Sequence, residues 1–284
     1  MNVGLLCRCK FSKKIRIFAI MYRIARILRI LIALIAMGVP TWALLAGYDS
    51  VFVRMQILTA LLSGSAVCLV FWAAVALVYG RIYCSTVCPM GTFMDCVSAF
   101  SRKVRRKSRA YRHCEPSSRT RVVFLIIAFA LMLSGSAAIP ALIDPYTGYA
   151  RMLEQFVMVP LHLGDSVLFS LSSLGLAALT AIIVVGFAWR RGRRVCNTFC
   201  PVGTLLGAAS RQSVLHMDIN TDLCINCGEC ERVCKSECIN LIDHTVDASR
   251  CVVCFDCAAV CPNGAITYRA GRHRLRTPLM QPKS

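Results

Sequence analysis

Long apolar runs alternate with arginine- and lysine-rich segments through most of this chain. Four runs stand out: Ile27–Gly47, Met55–Tyr79, Val122–Leu142 and Val167–Trp189. Each is near or above the roughly 20 residues that cross a bilayer as a helix. None contains Asp, Glu, Lys or His, and Arg29 lies only at the edge of the first. The pattern predicts four transmembrane helices. After Trp189 it changes. Short, β-branched runs at Val214–Ile219, Ile239–Ile242 and Ala265–Tyr268 read as strands. The expected architecture is an all-α membrane bundle followed by a small C-terminal α+β domain.

Charge orients the bundle. The 284 residues include 33 Lys and Arg against 14 Asp and Glu, a net charge of +19. Mean hydropathy is +0.60, outside the range of ordinary soluble domains. Basic residues crowd the segment before the first run, the connection between the second and third, and the stretch after the fourth. The connections Tyr48–Arg54 and Ile143–Ser166 hold one arginine each, Arg54 and Arg151. By the positive-inside rule, both termini and the central loop face the cytoplasm. Lys10–Arg29 mixes basic and apolar residues at helical spacing, which suits a helix on an anionic lipid surface. No small-residue cleavage site follows the first run, so it reads as an anchor. The same features account for the positive charge without nucleic acid, for which no motif is present.

Eighteen cysteines change the picture. Two runs repeat one spacing: Cys224-x2-Cys227-x2-Cys230-x3-Cys234 and Cys251-x2-Cys254-x2-Cys257-x3-Cys261-Pro262. This is the bacterial double-cluster ferredoxin pattern, in which each run gives its fourth cysteine to the other [4Fe–4S] cube. A short loop reaches three corners of a cube, so the fourth ligand must come from elsewhere. The predicted sets are Cys224, Cys227, Cys230 and Cys261 for one cluster, and Cys251, Cys254, Cys257 and Cys234 for the other. Structural zinc is the rival, but zinc does not require the third cysteine or the x3 fourth. Free thiols also call for a reducing compartment, in agreement with the charge argument. Lys235 stands after Cys234 where the second run has proline, and Cys238 is a ninth, spare cysteine.

A second repeat lies upstream. Cys84-Ser85-Thr86-Val87-Cys88-Pro89-Met90-Gly91-Thr92 and Cys196-Asn197-Thr198-Phe199-Cys200-Pro201-Val202-Gly203-Thr204 both read C-x-T-x-C-P-x-G-T. Each follows a pair of apolar runs and an arginine-bearing boundary. Two spans per unit keep both copies in one orientation, related by an axis along the membrane normal. Cys84, Cys88, Cys196 and Cys200 are then neighbours at the cytosolic mouth, a candidate third metal or redox site. Turn-forming or plain redox thiols are the alternatives.

Five histidines, His113, His162, His216, His244 and His273, all lie outside the apolar runs, so a bis-histidine haem between the helices is excluded. In the segment 144–162, Tyr146, Tyr149 and Phe156 suit a membrane interface. Asp144, Glu154 and His162 are the candidate proton acceptors were a quinol to bind there.

The order of spans, Cys-x3-Cys-Pro loops and double-cluster domain resembles the NapH/MauN family of ferredoxin-type membrane proteins, related to the NosR and CcoG polyferredoxins. The resemblance implies a membrane electron-transfer subunit, associated in the family with quinol oxidation or with maturation of a periplasmic redox enzyme. The expected division is a basic segment (1–26), a membrane domain (27–212) of two repeats (27–101 and 121–212), a 2[4Fe–4S] ferredoxin domain (213–270) and a basic tail (271–284). Expected partners are membrane lipid and another redox protein: a cytosolic ferredoxin or flavoprotein, or a membrane or periplasmic oxidoreductase. The location implied is the bacterial inner membrane. A metal-reducing or maturation factor is the alternative, since soft thiolates suit Cu(I). No nucleophile–base pair or phosphate loop marks a small-molecule catalyst.

Overall fold

The computed structural model describes residues 13–46, 56–57, 65–104, 111–115, 118–133, 144–160 and 171–271. The first element, α1 (Lys13–Leu45), is one continuous helix. The basic segment and the first apolar run are therefore not separate elements. Ile, Leu and Ala fill its interior, and Ile24, Ile27, Leu31 and Ile35 remain exposed on it. Tyr22, in contrast, is buried in the core of the C-terminal domain. On this face α1 packs against the C-terminal domain, while Ile20, Met21 and Ile24 stay exposed.

Among the described residues, two helices are long and apolar enough to cross a membrane: Ile20–Leu45 and Ser172–Arg191, with mean hydropathies of 2.0 and 1.9. The second run is described as α2 (Ala66–Tyr79, 14 residues) and the third as α5 (Ser118–Leu133, 16 residues). The other parts of those runs lie largely outside the described residues. The fourth run gives α7 (Leu171–Arg191), which ends on Arg190 and Arg191, where cations favour a helix C-terminus.

Each cysteine loop folds as a short helix followed by a longer one with proline at its start. In the first loop these are α3 (Tyr83–Thr86) and α4 (Pro89–Val104). In the second they are α8 (Arg194–Thr198) and α9 (Pro201–Ser210). Proline suits the first turn, where its missing N–H is no loss. The packing is reciprocal. Helix α4 lies against α1 and crosses to α7, while α9 lies against α5 and crosses to α2. Each Cys-Pro helix therefore touches one helix from each side of the central segment in the chain.

The segment expected at the membrane surface is instead folded into the bundle. Helix α6 (Pro145–Leu153) is capped by Asp144, whose carboxylate accepts from Thr147 N at 2.8 Å and continues into a π-turn over Glu154–Met158. It packs against α4, α7 and α1. Tyr146 and Tyr149 are buried, and the Tyr149 hydroxyl is 2.8 Å from Thr41 Oγ1. A Cβ on Gly148 would lie 3.3 Å from the Met90 methyl, so glycine allows this approach to the first Cys-Pro helix. Phe156 stays exposed, as an interfacial residue would. His162 lies outside the described residues.

The C-terminal domain is built on two antiparallel pairs. Strand β1 (Leu215–Ile219) pairs with β4 (Ile266–Ala270), and β2 (Ile239–Asn240) with β3 (Thr245–Val246). The one-turn helices α10 (Glu229–Val233) and α11 (Asp256–Val260) carry the third cysteine of each run. Met217, Ile219, Ile239, Val246 and Ile266 form its core together with Cys230, Cys234 and Cys257. So small a domain has little room for aliphatic packing, and cysteines occupy much of its interior.

Candidate metal centres

Both ferredoxin loops adopt the same backbone. Residues with positive φ fall two and four positions after the first cysteine: Asn226 (51°) and Gly228 (78°) in one loop, Val253 (51°) and Phe255 (61°) in the other. Asn and Gly tolerate this region; a β-branched valine there is strained. Left-handed residues set in such turns aim successive N–H groups into one concavity, the nest that holds anions and iron–sulfur groups. Val253 is held in place by burial, and strain maintained in this way marks a functional site.

The loops bring the predicted sets together. Cys224, Cys227, Cys230 and Cys261 line one small cavity together with Leu223, Ile225, Leu241 and Pro262. Cys257 has Cys254, Cys234 and Cys251 as electrostatic neighbours, and Cys230 beyond them. The fourth thiol of each run thus sits with the other run. The N–H of Ala265 donates to Cys261 Sγ at 3.2 Å, the kind of contact that tunes a bound cluster. Cys238 is not remote from the second set: its sulfur lies 3.4 Å from Cys234 Sγ. Their hydrogen bond is the main cause holding the Cys234 thiol down, to about 7. Burial pushes Cys230 and Cys254 up to about 12, so these thiols stay protonated at neutral pH unless a bound metal displaces the proton to solvent. Among the described residues, no group of three or more His, Cys, Asp or Glu is gathered closely enough for a single metal ion. A cube, with iron corners between its ligands, holds thiolates further apart than one zinc at about 2.3 Å. The cavity, the nests and the thiol sets fit such a group.

The upstream loops form a second assembly. The repeat extends further back than C-x-T-x-C-P-x-G-T: Gly80-Arg81 and Gly192-Arg193 stand at matching positions ahead of Cys84 and Cys196. Both glycines have positive φ, 76° and 58°. Both arginines are fully buried, and each crosses to the other loop. Arg81 Nη1 donates to Asn197 Oδ1 at 2.8 Å and to Ser249 O at 2.9 Å, while Nη2 lies 3.8 Å from Cys84 Sγ. Arg193 donates to the carbonyls of Cys84 and Gly91, the latter at 3.0 Å. Gly91 and Gly203 make room for this. A Cβ at Gly203 would sit 2.5 Å from the Cys196 carbonyl and 2.8 Å from Arg81 Nη2; at Gly91 it would strike the Cys84 carbonyl.

The four loop thiols share one neighbourhood. Cys84, Cys88 and Cys200 are buried in the core to which Cys196 and Cys254 also belong. Cys200 has Cys196, Cys84 and Cys88 as charged-state neighbours. Burial raises Cys88 and Cys200 and pushes Cys196 up to about 11. Cys196 Sγ also lies 3.4 Å from Met94 Sδ.

A buried charge cluster joins the two assemblies. Asp95, on α4, meets Arg193 Nε and Lys235 Nζ at 2.7 Å each and Arg29 Nη1 at 3.4 Å. Lys235 also reaches Asp256 at 3.2 Å, which Arg26 meets at 2.8 Å. Burial pushes the Asp95 carboxyl up, but Arg193 and Lys235 outweigh it and hold it well below the usual range. Asn197 Nδ2 donates to Ser236 O at 3.2 Å. Sequence reasoning saw Lys235 only as a missing proline and passed over Asp95, Arg81 and Arg193. The signals available were the doubled Gly-Arg and a lone acid within a basic stretch.

A family model described as a 4Fe-4S binding domain matches the chain twice, at residues 60–107 and 174–219. A second 4Fe-4S binding domain model matches residues 217–240. Three curated proteins are similar. The putative electron transport protein YccM of Escherichia coli is 25% identical, over 70% of this chain and 54% of its own length. The methylamine utilization ferredoxin-type protein MauN of Paracoccus denitrificans is 30% identical, over 56% of this chain and 49% of its own. The ferredoxin-type protein NapH of Haemophilus influenzae is 24% identical, over 61% and 53%. The chain is thus similar to ferredoxin-type electron-transport proteins, MauN and NapH among them. The chain spans about half the length of the curated relatives it matches. The family matches enclose both upstream loops and the first ferredoxin run, so 4Fe-4S binding domains are present in this chain. No solved structure matches the chain.

Proposed function

We propose that this ferredoxin-type protein is an integral inner-membrane iron–sulfur protein that passes single electrons between the quinone pool or a cytosolic donor and a partner redox enzyme. Its four apolar runs form a bundle of two repeats, with both termini and the ferredoxin domain on the cytoplasmic side. Cys224, Cys227, Cys230 and Cys261 hold one [4Fe–4S] cluster, and Cys251, Cys254, Cys257 and Cys234 hold another. Cys84, Cys88, Cys196 and Cys200 hold a third metal centre. The clusters supply one-electron chemistry; the chain supplies thiolates, N–H donors and a dry core around them.

The observation that carries this reading is the position of Cys254. It belongs to the second ferredoxin set, yet it packs into the core that contains Cys84, Cys88 and Cys200. The two assemblies are thus adjacent, while Cys227 and Ile225 leave the first ferredoxin set open to solvent and to a redox partner. The test is iron and acid-labile sulfide per chain after anaerobic purification in detergent. About twelve of each is expected for three cubes. About eight would confine iron to the ferredoxin domain, and zinc in place of iron would sink electron transfer.

One observation favours a second reading, a metal-reducing or maturation factor. The Cys196 thiol and the buried Met94 thioether, 3.4 Å apart, are soft donors of the kind that select Cu(I). Loss of Cys84 or Cys196 would then remove the partner enzyme's metal; on the first reading it stops only the electron supply.

A further inference from the structure

The two crossing arginines differ in one respect. Arg193 is neutralised by Asp95. Arg81 is not: it is fully buried, and among the described residues no carboxylate lies within ion-pairing distance of it. Its partners are an amide oxygen, a carbonyl and the Cys84 sulfur, and its Nε has none. A second buried arginine, Arg121, converges on the same carbonyl, with Nη2 3.4 Å from Ser249 O and Nη1 3.3 Å from Ser249 Oγ. Guanidinium does not give up its proton in proteins. A buried ion without a counter-ion is strongly unfavourable, so the fold leaves a local demand for negative charge. The groups at hand that can meet it are the loop thiols. Neutral thiols do not; metal-bound thiolates do.

Stoichiometry points the same way. The second family match encloses just two cysteines, Cys196 and Cys200. A cube takes four. The second unit therefore completes a set only with thiols from the first, where Cys84 and Cys88 share its core, and Arg81 and Arg193 are the side chains that tie the two loops to each other.

We propose that Arg81 is the counter-cation of a single anionic thiolate–metal centre held jointly by Cys84, Cys88, Cys196 and Cys200. This rests on the third centre proposed above. Arg81 is a positioning residue: it acts through the thiolates, and its charge favours the more negative, reduced state of whatever they hold.

The experiment uses the full-length protein, purified anaerobically in detergent, with iron and sulfide counted and the centres titrated by electron paramagnetic resonance. Three variants are compared: Cys200→Ser, Arg81→Gln and Arg81→Lys. Cys200→Ser is expected to lose about four irons per chain. Arg81→Lys keeps the iron and the titration of the unsubstituted protein. Arg81→Gln either loses the same iron as Cys200→Ser or keeps it with the reduced fraction of one centre about tenfold lower at a fixed potential, about 59 mV for one electron. Should Arg81→Gln not fold, Arg121→Gln removes the other cation at Ser249 and is expected to shift the same centre in the same direction. Unchanged iron and titration in Arg81→Gln overturns the proposal. So does an equal loss in Arg81→Lys and Arg81→Gln, which would assign the effect to the contacts with Asn197 and Ser249. If the unsubstituted protein holds about eight irons and Cys200→Ser changes nothing, the third centre itself is absent and both readings of these loops fail together.

Discussion

The two thiol assemblies reach similar ends by opposite routes. In the ferredoxin domain, three ligands of each set come from one short loop, and the backbone itself shapes the concavity through paired left-handed residues. The strain sits on Val253 and Phe255, and solvent reaches Cys227. In the upstream assembly no loop holds more than two of the thiols. They meet because two arginines, two glycines and a buried aspartate lock distant segments face to face. A local motif needs little from the rest of the fold, whereas a shared site depends on all of it. Substitutions that disturb tertiary contacts should therefore damage the upstream assembly far more than the ferredoxin loops.

The largest effect is expected at Asp95. Asp95→Asn leaves Arg193, Lys235 and Arg29 without their shared anion, and removing one partner from a buried ion cluster costs about 3–5 kcal/mol. Denaturant unfolding in detergent measures it. The pH dependence has a definite sign. Because the folded-state carboxyl lies below its usual range, its contribution is complete above the unfolded value of about 4 and is lost as pH falls through the folded value. The gap between Asp95→Asn and the unsubstituted protein should be constant from neutral pH to about 5 and close only in strong acid.

Next come the paired glycines. Gly91→Ala and Gly203→Ala both drive a Cβ into the carbonyl of the preceding loop cysteine, and an overpacked site costs about 1–3 kcal/mol. Similar losses in the two variants would sharpen the equivalence of the loops; a loss confined to one would break it. In the ferredoxin domain, Asn226→Ala is expected to cost only about 1 kcal/mol, the penalty for alanine at positive φ, and Asn226→Gly should not share it. Thermal unfolding of the loaded protein separates them. The smallest effect belongs to Arg232→Ala. Its ion pair with Glu229 at 2.7 Å is exposed on both sides, so stability should change by less than about 0.5 kcal/mol.

Legibility in the sequence divides along the same line. The proximity of the ferredoxin cysteines was readable because spacing is a local property: each Cys-x2-Cys-x2-Cys loop carries three of the four cysteines of its predicted set. The upstream loops were readable as a repeat, and Cys84, Cys88, Cys196 and Cys200 as neighbours, because two copies of one motif advertise symmetry. Arg81, Arg193 and Asp95 were not read as members of a site. In a chain this basic, a buried arginine looks the same as one facing anionic lipid. Cys238 was read as spare and lies against Cys234, since its position follows from the β2 turn and not from any spacing rule. Tyr146 and Tyr149 suit a membrane interface by composition; Gly148 and the Asp144 cap place them inside the bundle.

By itself, the sequence determined the cofactor class, the apolar runs and the doubled cysteine motif, because ligand spacing, run length and repetition are all written along one dimension. Tertiary structure alone decided which charges are buried and what they face. The α1 helix turned Tyr22 and Arg26 toward the ferredoxin domain. The crossing of α4 and α9 between halves brought each arginine to the other loop. Whether an arginine is solvated or must find an anion depends on the low dielectric built around it by residues far away in the chain, and that environment exists only once the chain is folded.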